Sequence, residues 1–400
     1  MFADLGKDPA RQRSFVPGIS RNVFLLGVVS LCTDASSEMI YPLVPLFLTQ
    51  TLGAPMAIVG VIEGLAEATA SLLKGISGWL SDRLGRRRPL VLAGYGLAAV
   101  SKPLLALAGS WHLVLGARVL DRFGKGLRNA PRDALIADST EASLQGRAFG
   151  FHRSADQIGA VLGPLLALPL LAAFQQNYRT LFVVAFIPAA LGVGFLTMVR
   201  ETGRGRAAGA PRPSFSLRQV TPAFRRFLGI TLLFALGNSS DVFLILRAQQ
   251  LGLSTARIVL LFATFNLTYV LSAYPAGSLS DRLGRKRLLV AGLGVFALVY
   301  LGFGVAPAAG WLWLLFGIYG LYMGLTDGIA RAFVVDLVAA DQRATALGFY
   351  AMASGLAAFP ASALAGLLWQ SYGPPAPFLY GAVLAGLAAL LLAKLVARSR

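Results

Sequence analysis

The chain is 400 residues long, 56% hydrophobic and only 14% charged, with a mean hydropathy of +0.67. Soluble domains carry roughly 25% charged residues, so this composition excludes an ordinary water-soluble globule and points to a chain that lives mostly in lipid. The net charge of +18 would suit a nucleic-acid binder if it formed one basic face. Instead the basic residues fall in short clusters between apolar runs, which leaves nucleic acid out as a partner.

A spanning helix needs roughly 20 apolar residues, and suitable runs recur twelve times: 22–48, 56–80, 89–109, 111–138, 146–173, 178–199, 225–248, 257–279, 288–307, 311–337, 345–370 and 376–396. The first 20 residues are polar and basic with no cleavable apolar core, so the first run is expected to stay as a membrane helix. That run carries Asp34 and Glu38, one helical turn apart and therefore on one face. The second carries Glu63 and Glu67 at the same spacing. Ionisable groups at membrane depth cost roughly 2.5–3.5 kcal/mol each on insertion scales, so each implies a paired or watered site.

Between the second and third runs stands Gly78-Trp79-Leu80-Ser81-Asp82-Arg83-Leu84-Gly85-Arg86-Arg87-Arg88. Gly78 suits close helix packing and Gly85 a tight turn. The fourth run is unusually charged: Arg118, Arg122 and Lys125 fall along one stripe with Asp121 beside it, and Arg128 follows. The fifth contains Gly159, Gly163 and Pro164, a pattern that permits close helix approach and a bend. Arg153 and Asp156 add polar groups at its start, and Arg153 is expected to pair internally with a neighbouring carboxylate rather than meet substrate.

Residues 200–224 are basic and rich in Gly and Pro, so 1–199 and 225–400 read as two six-helix halves joined by a linker. The second half repeats the first. Gly277-Ser278-Leu279-Ser280-Asp281-Arg282-Leu283-Gly284-Arg285-Lys286-Arg287 copies the earlier loop 199 residues on, and Ser239-Ser240-Asp241 in the seventh run echoes Ser36-Ser37-Glu38. The tenth run adds Asp327 and Arg331. Such a repeat is the mark of pseudo-symmetric transporter halves.

Of the 36 basic residues, 24 lie at the two termini and in alternate loops, whereas Arg179, Arg247 and Arg257 alone fall in the intervening loops. This positive-inside asymmetry puts both termini in the cytoplasm of a multi-pass inner-membrane protein. Asp82 and Arg83, with Asp281 and Arg282 in the copy, can latch the cytoplasmic face by meeting charges or helix ends of the other half. Asp138 and Asp336, at the inner ends of the fourth and tenth runs, are expected to partner loop arginines such as Arg86. Cys32 is alone and the histidines are two, His112 and His152, so neither a disulfide nor a metal cluster is indicated.

The Gly-x-Leu-Ser-Asp-Arg-x-Gly-Arg-Arg-Arg loop resembles the signature loop of the major facilitator superfamily, and its second copy and twelve runs extend the resemblance over the whole chain. The resemblance implies an all-α fold of twelve spans in two halves that rock about a central site. Arg122-x-x-Lys125-Gly126 looks like the fourth-span Arg-x-x-x-Gly motif of proton-coupled members, in which the arginine modulates the proton site. Lys125 and Arg128 depart from that motif and hint at an anionic substrate. Gly159-x-x-x-Gly163-Pro164 resembles an element of the family's exporters, with Ala167 in place of its last glycine.

The expected activity is secondary transport, not enzymatic catalysis: proton-coupled efflux of a drug-like or metabolic compound by a monomer that uses the proton gradient and no cofactor. Asp34 and Glu38 would carry the proton, since a carboxyl group in a half-apolar cavity can exchange one near neutral pH. Glu63, Glu67, Arg118, Asp121, Asp241, Asp327 and Arg331 are the remaining cavity candidates. Two alternatives stand beside it. The stretch from Asp34 to Met39 resembles that of nickel-type metal exporters, and the cationic fourth run fits uptake of an anionic nutrient.

Overall fold

The computed structural model describes residues 18–201, 221–339 and 342–397, and its elements are all helices. The 202–220 part of the expected linker and both chain ends lie outside the described residues. The first crossing is α1 (Arg21–Ile40), α2 (Leu43–Leu46) and a π-turn (Phe47–Thr51). Next come α3 (Met56–Leu84), α4 (Arg88–Ala106), α5 (Trp111–Asp138), α6 (Gln145–Ala173) and α7 (Tyr178–Thr197). The second half runs α8 (Pro222–Gly237), α9 (Val242–Gln250), α10 (Thr255–Leu283), α11 (Arg285–Val305), α12 (Trp311–Asp336), α13 (Arg343–Tyr372) and α14 (Ala376–Ala397).

Eleven of these segments are both long and apolar enough to cross a bilayer. The exception among the described residues is α5. Its 28 residues suffice in length, but its charges lower its hydropathy, and neighbouring helices supply counter-ions for Arg118, Asp121 and Arg122. Large apolar side chains such as Trp79, Leu107, Leu298 and Leu390 lie exposed on the outer surface, as a lipid-facing wall requires. The chain is a multi-pass membrane protein.

The first crossing of each half is interrupted. In the N-terminal half the chain turns at Tyr41-Pro42 between α1 and α2. In the C-terminal half residues 238–241 separate α8 from α9. Backbone groups freed at such breaks must be satisfied internally, and here the Ser240 N–H donates to the Ser362 hydroxyl at 3.1 Å.

An even number of crossings brings Gly18 and Ala397 to the same side of the bundle. On the opposite side the halves are sealed. Tyr41 stacks on Phe262 at 5.2 Å, Tyr178 meets Thr255 at 3.0 Å, and α3 lies directly against α13. A Cβ on Gly60 would sit 2.2 Å from the Ser362 carbonyl oxygen, and one on Gly64 would sit 2.8 Å from that of Phe359, so the seal depends on residues without side chains. On the side of the chain ends the halves part around a cavity.

The repeated loops turn at Gly85 and Gly284, with φ of +62° and +91°, which side chains rarely adopt. Gly78 and Gly277 are different from the expectation. Gly277 has nothing within 4 Å, and a Cβ on Gly78 would meet only Ala130 at an ordinary 3.4 Å; with the cavity open, neither is a close packing point. Arg179, Arg247 and Arg257 are also not loop residues: they lie within the ends of α7, α9 and α10. Arg247 is buried and donates to the Phe303 carbonyl at 3.0 Å.

Candidate functional site

The cavity between the halves has a volume of about 910 Å³. Its walls come from α1, α3, α5, α6, α10, α11 and α12, and they are rich in charge, with Lys74, Lys125, Arg128, Arg132, Arg153, Asp156, Asp327 and Arg331 among the lining residues. At its depth it meets a narrow cleft of about 30 Å³ bounded by Glu38, Tyr41, Lys102, Arg118 and Arg122. Asp34, Lys125 and Arg128 line both spaces.

Asp34 and Glu38 are set there by the packing of α1 on α6. A Cβ on Gly159 would fall 2.6 Å from the Leu31 carbonyl oxygen and 3.1 Å from the Asp34 Cβ. One on Gly163 would fall 2.7 Å from the Ala35 oxygen and 2.9 Å from the Glu38 Cβ. The two glycines therefore let α6 press against the backbone of the very turns that carry the carboxylates. Pro164 follows, buried within α6.

The charged stripe of α5 finds partners on two neighbours and leaves two cations unpaired. Toward α3 it forms a two-rung ladder. Arg118 makes a paired contact to Glu63 at 2.9 and 2.5 Å, with both side chains buried, and Arg122 reaches Glu67 at 3.2 Å. The rungs match because both pairs are spaced by four residues. Gly126 holds the helices close, since a Cβ there would meet the Ala70 oxygen at 2.7 Å. Toward α4, Asp121 accepts from Lys102 at 2.7 Å, and Lys102 also reaches Ser37 at 3.3 Å. Lys102 escaped the sequence reading, although one lysine inside an apolar run is the same signal that marked the carboxylates.

The third group is unpaired. Among the described residues, Asp34, Glu38, Lys125 and Arg128 make no ion pair and no side-chain hydrogen bond. Arg128 is 5% exposed, its Nε and Nη1 lack hydrogen-bond partners, and its guanidinium lies 4.3 Å from the centre of the Tyr95 ring.

In the C-terminal half, Asp241 stands at the α8–α9 break and accepts from the Tyr319 hydroxyl at 2.6 Å. Tyr319 and Tyr322 are packed in the apolar core, so they do not line the large cavity. Asp327 accepts from Arg331 at 2.8 Å and from Tyr269 at 3.0 Å. Arg153 of α6 bridges the halves, with its guanidinium 3.2 Å from the Tyr269 hydroxyl, 4.0 Å from Asp327 and 3.7 Å from Asp156.

Of the loop residues, Gly277, Ser280, Asp281 and Arg285 line this cavity, whereas Arg83, Arg86, Asp138 and Asp336 do not. Asp138 pairs with Arg87, and Asp336 with Arg285 at 2.6 Å, each within its own half. Arg86 and Arg282 are exposed, Arg83 lies over the Trp79 ring of its own helix, and Asp281 is 3.9 Å from Arg285. Asp138, Asp281, Arg285 and Asp336 find these partners within their own halves, and the cavity separates the halves on this side. The side chain of Asp82 is outside the described residues. The backbone N–H groups that open α4, those of Arg87 and Arg88, are capped by Glu201 at 3.1 and 2.9 Å, a long-range contact with no local signal.

Two interrupted crossings at equivalent places, a sealed seam on one side and a charged central cavity on the other form a known architecture. The sequence pattern of the Major Facilitator Superfamily matches residues 26–245 and 226–400. The chain belongs to the Major Facilitator Superfamily. An uncharacterized MFS-type transporter of Methanocaldococcus jannaschii is 36% identical over 395 residues, covering 94% of each chain. A probable 4-methylmuconolactone transporter of Cupriavidus pinatubonensis is 30% identical over 257 residues, 61% of this chain and 59% of that one. Among solved structures, a POT family transporter in complex with 5-aminolevulinic acid superposes with a TM-score of 0.79 at 14% identity, over 96% of this chain and 97% of that one. This superfamily membership makes the chain a transporter.

Proposed function

We propose that this superfamily member is a proton-coupled secondary transporter that carries a small polar molecule by alternating access. It works as a monomer in the cell inner membrane, without a cofactor, and the proton gradient supplies its energy. The loops rich in arginine on the cavity's side make that side cytoplasmic by the positive-inside rule, so the conformation described above faces inward. Asp82, Arg83, Asp281 and Arg282 would form the cytoplasmic latch once that side closes.

The observation that carries this reading is the pair Asp34 and Glu38, lining the cavity and the cleft at its depth, which make no ion pair among the described residues while Glu63, Glu67 and Asp121 are held by Arg118, Arg122 and Lys102. A carboxylate bound in a permanent ion pair is a poor proton carrier, whereas an unpaired one facing a cavity can exchange protons with it. The exporter-like Gly159-Gly163-Pro164 element speaks for efflux, whereas the cationic stripe of α5 along the cavity speaks for the alternative, uptake of an anion. A lipophilic drug, however, would meet an ionic wall, so a polar metabolite suits the cavity better than a drug. Among the described residues no group of three or more His, Cys, Asp and Glu is placed to hold a metal ion, which leaves the metal-export alternative without a cluster to rest on.

The test needs no known cargo. In a Cys32→Ser background, Ala248→Cys lies in the sealed side of α9, where Ala248 is buried, and an impermeant maleimide reports opening of that side. Labelling should change with pH in the parent and lose that response in Asp34→Asn with Glu38→Gln. An unaltered pH response in the double variant would refute these carboxylates as the proton site and direct attention to Asp241.

A further inference from the structure

The floor of the cavity holds more positive charge than its fold requires. Arg128 is nine-tenths buried, has two guanidinium nitrogens without hydrogen-bond partners, and lines both the cavity and the cleft. Its contact to the Tyr95 ring satisfies one face of the guanidinium but none of its N–H groups. Lys125, three residues earlier and so on the same side of α5, is exposed in the same cavity and equally unpartnered. A buried cation without a counter-ion is costly, and the cost is offset where a ligand supplies the missing charge. The backbone is shaped to tolerate the arrangement. A Cβ on Gly94 of α4 would lie 2.6 Å from the Arg128 Cβ, so that glycine is what admits the arginine to this position.

We propose that Arg128 and Lys125 bind the anionic group of the transported molecule, so that the cargo is a small organic anion, and that Asp34 competes with this group for the same two cations. The proposal rests on the transport reading and deepens it. The charged groups facing Asp34 are Glu38 on its own helix, Lys125 and Arg128 on α5, and Asp156 on α6. Asp156 is engaged by Ser30 and Arg153, which leaves Lys125 and Arg128 as the cations that Asp34 can hold.

The sign of the coupling follows. With Asp34 ionised, the carboxylate screens the two cations and weakens anion binding. With Asp34 protonated, the cations are free for the cargo. Proton and anion therefore bind together, and linkage requires each to strengthen the other. Such a site moves both in the same direction, which under an inward proton gradient means uptake. An exchanger needs the opposite relation, with the proton and a cationic cargo excluding each other.

The test uses the full chain in lipid nanodiscs and the probes benzoate, phthalate, phenyl phosphate and benzenesulfonate, beside neutral benzamide and cationic benzylamine. Thermal stabilisation gives the apparent affinity, since a ligand that binds only the folded state raises its midpoint. At least one anion should stabilise the protein while benzamide and benzylamine do not. The effect should grow as pH falls from about 8 to about 5, across the range where a cavity carboxylate can titrate. Arg128→Gln and Lys125→Gln should each weaken binding by about tenfold or more, as loss of a charge-assisted contact implies. Asp34→Asn should bind the anion more tightly at neutral pH and remove most of the pH dependence.

The proposal is overturned if no anion stabilises the parent, if both cation variants bind as the parent does, or if Asp34→Asn binds more weakly. Lys125 makes no contact that folding needs, so Lys125→Gln keeps the test decisive if Arg128→Gln fails to fold. Labelling of Ala248→Cys is read in parallel. Anion binding that never alters labelling at any pH would sink the transport reading and leave the anion site standing. Labelling that responds to pH with no anion bound by any probe would sink the anion site alone.

Discussion

Arg118→Met should be among the most destabilising single changes in the N-terminal half. Arg118 and Glu63 are joined by two short contacts, 2.9 and 2.5 Å, and Glu63 is 1% exposed. Removing the guanidinium leaves a carboxylate in the bundle interior with no partner and no water, a situation that costs about 3–5 kcal/mol. In the unfolding equilibrium that is roughly two to three and a half decades. Replacing both partners removes the stranded charge, so Glu63→Leu with Arg118→Met should recover most of the loss, as apolar replacement of buried pairs often does. The second rung supplies an internal comparison. The Glu67 side chain is 41% exposed, so water screens its pair with Arg122, and Glu67→Gln should cost no more than about 1 kcal/mol. Unfolding in mixed detergent micelles, followed by tryptophan fluorescence, measures all five proteins: the parent, Arg118→Met, Glu63→Leu, the double variant and Glu67→Gln. A cost below about 1 kcal/mol for Arg118→Met, or a double variant as unstable as the sum of its singles, would refute the account of Glu63 as a structural counter-ion.

Gly163→Ala places a Cβ 2.7 Å from the Ala35 oxygen and 2.8 Å from the Met39 nitrogen. It should cost about 1–3 kcal/mol in the same assay and blunt the pH response by displacing Glu38; a neutral result would show that α1 and α6 can separate freely. Gly60→Ala should push the sealed sides of the halves apart and raise labelling of Ala248→Cys, and unchanged or lower labelling would argue that the seam does not depend on this contact. For orientation, Gly209→Cys and Gly310→Cys in the Cys32→Ser background should respectively resist and accept an impermeant thiol reagent in intact cells, with the reverse pattern inverting the assignment of sides.

Much of the frame is written locally in the chain. The length of each apolar run, the loop at 78–88 and its copy at 277–287, and the composition each announce a membrane crossing or a repeat using residues close together in the chain. Even α5, too charged to score as a span by hydropathy, was countable, because the two halves had to match. The partners of Arg87 and Arg285 at Asp138 and Asp336 lie at the ends of consecutive helices, where short connections leave little choice. The Glu201 cap on α4 and the bridge from Arg153 to Tyr269 had no comparable signal, since each joins residues more than a hundred positions apart.

The sequence by itself determined the crossings and the two halves, because lipid acts on every segment separately: a polar backbone must fold into a helix there, whatever surrounds it. It put Asp34 and Glu38 ahead of Glu63 and Glu67 as proton carriers, but the two pairs share one spacing and one chemistry, so the ranking had no physical ground in the sequence. Only the tertiary structure separated them. Gly126 lets α5 close on α3, where Arg118 and Arg122 neutralise one carboxylate pair, while Gly159 and Gly163 let α6 support the other from behind and leave it facing the cavity with Lys125 and Arg128. Whether a buried charge is a brace or a working group depends on which side chains other helices bring to it, and that is decided by packing between segments distant in the chain.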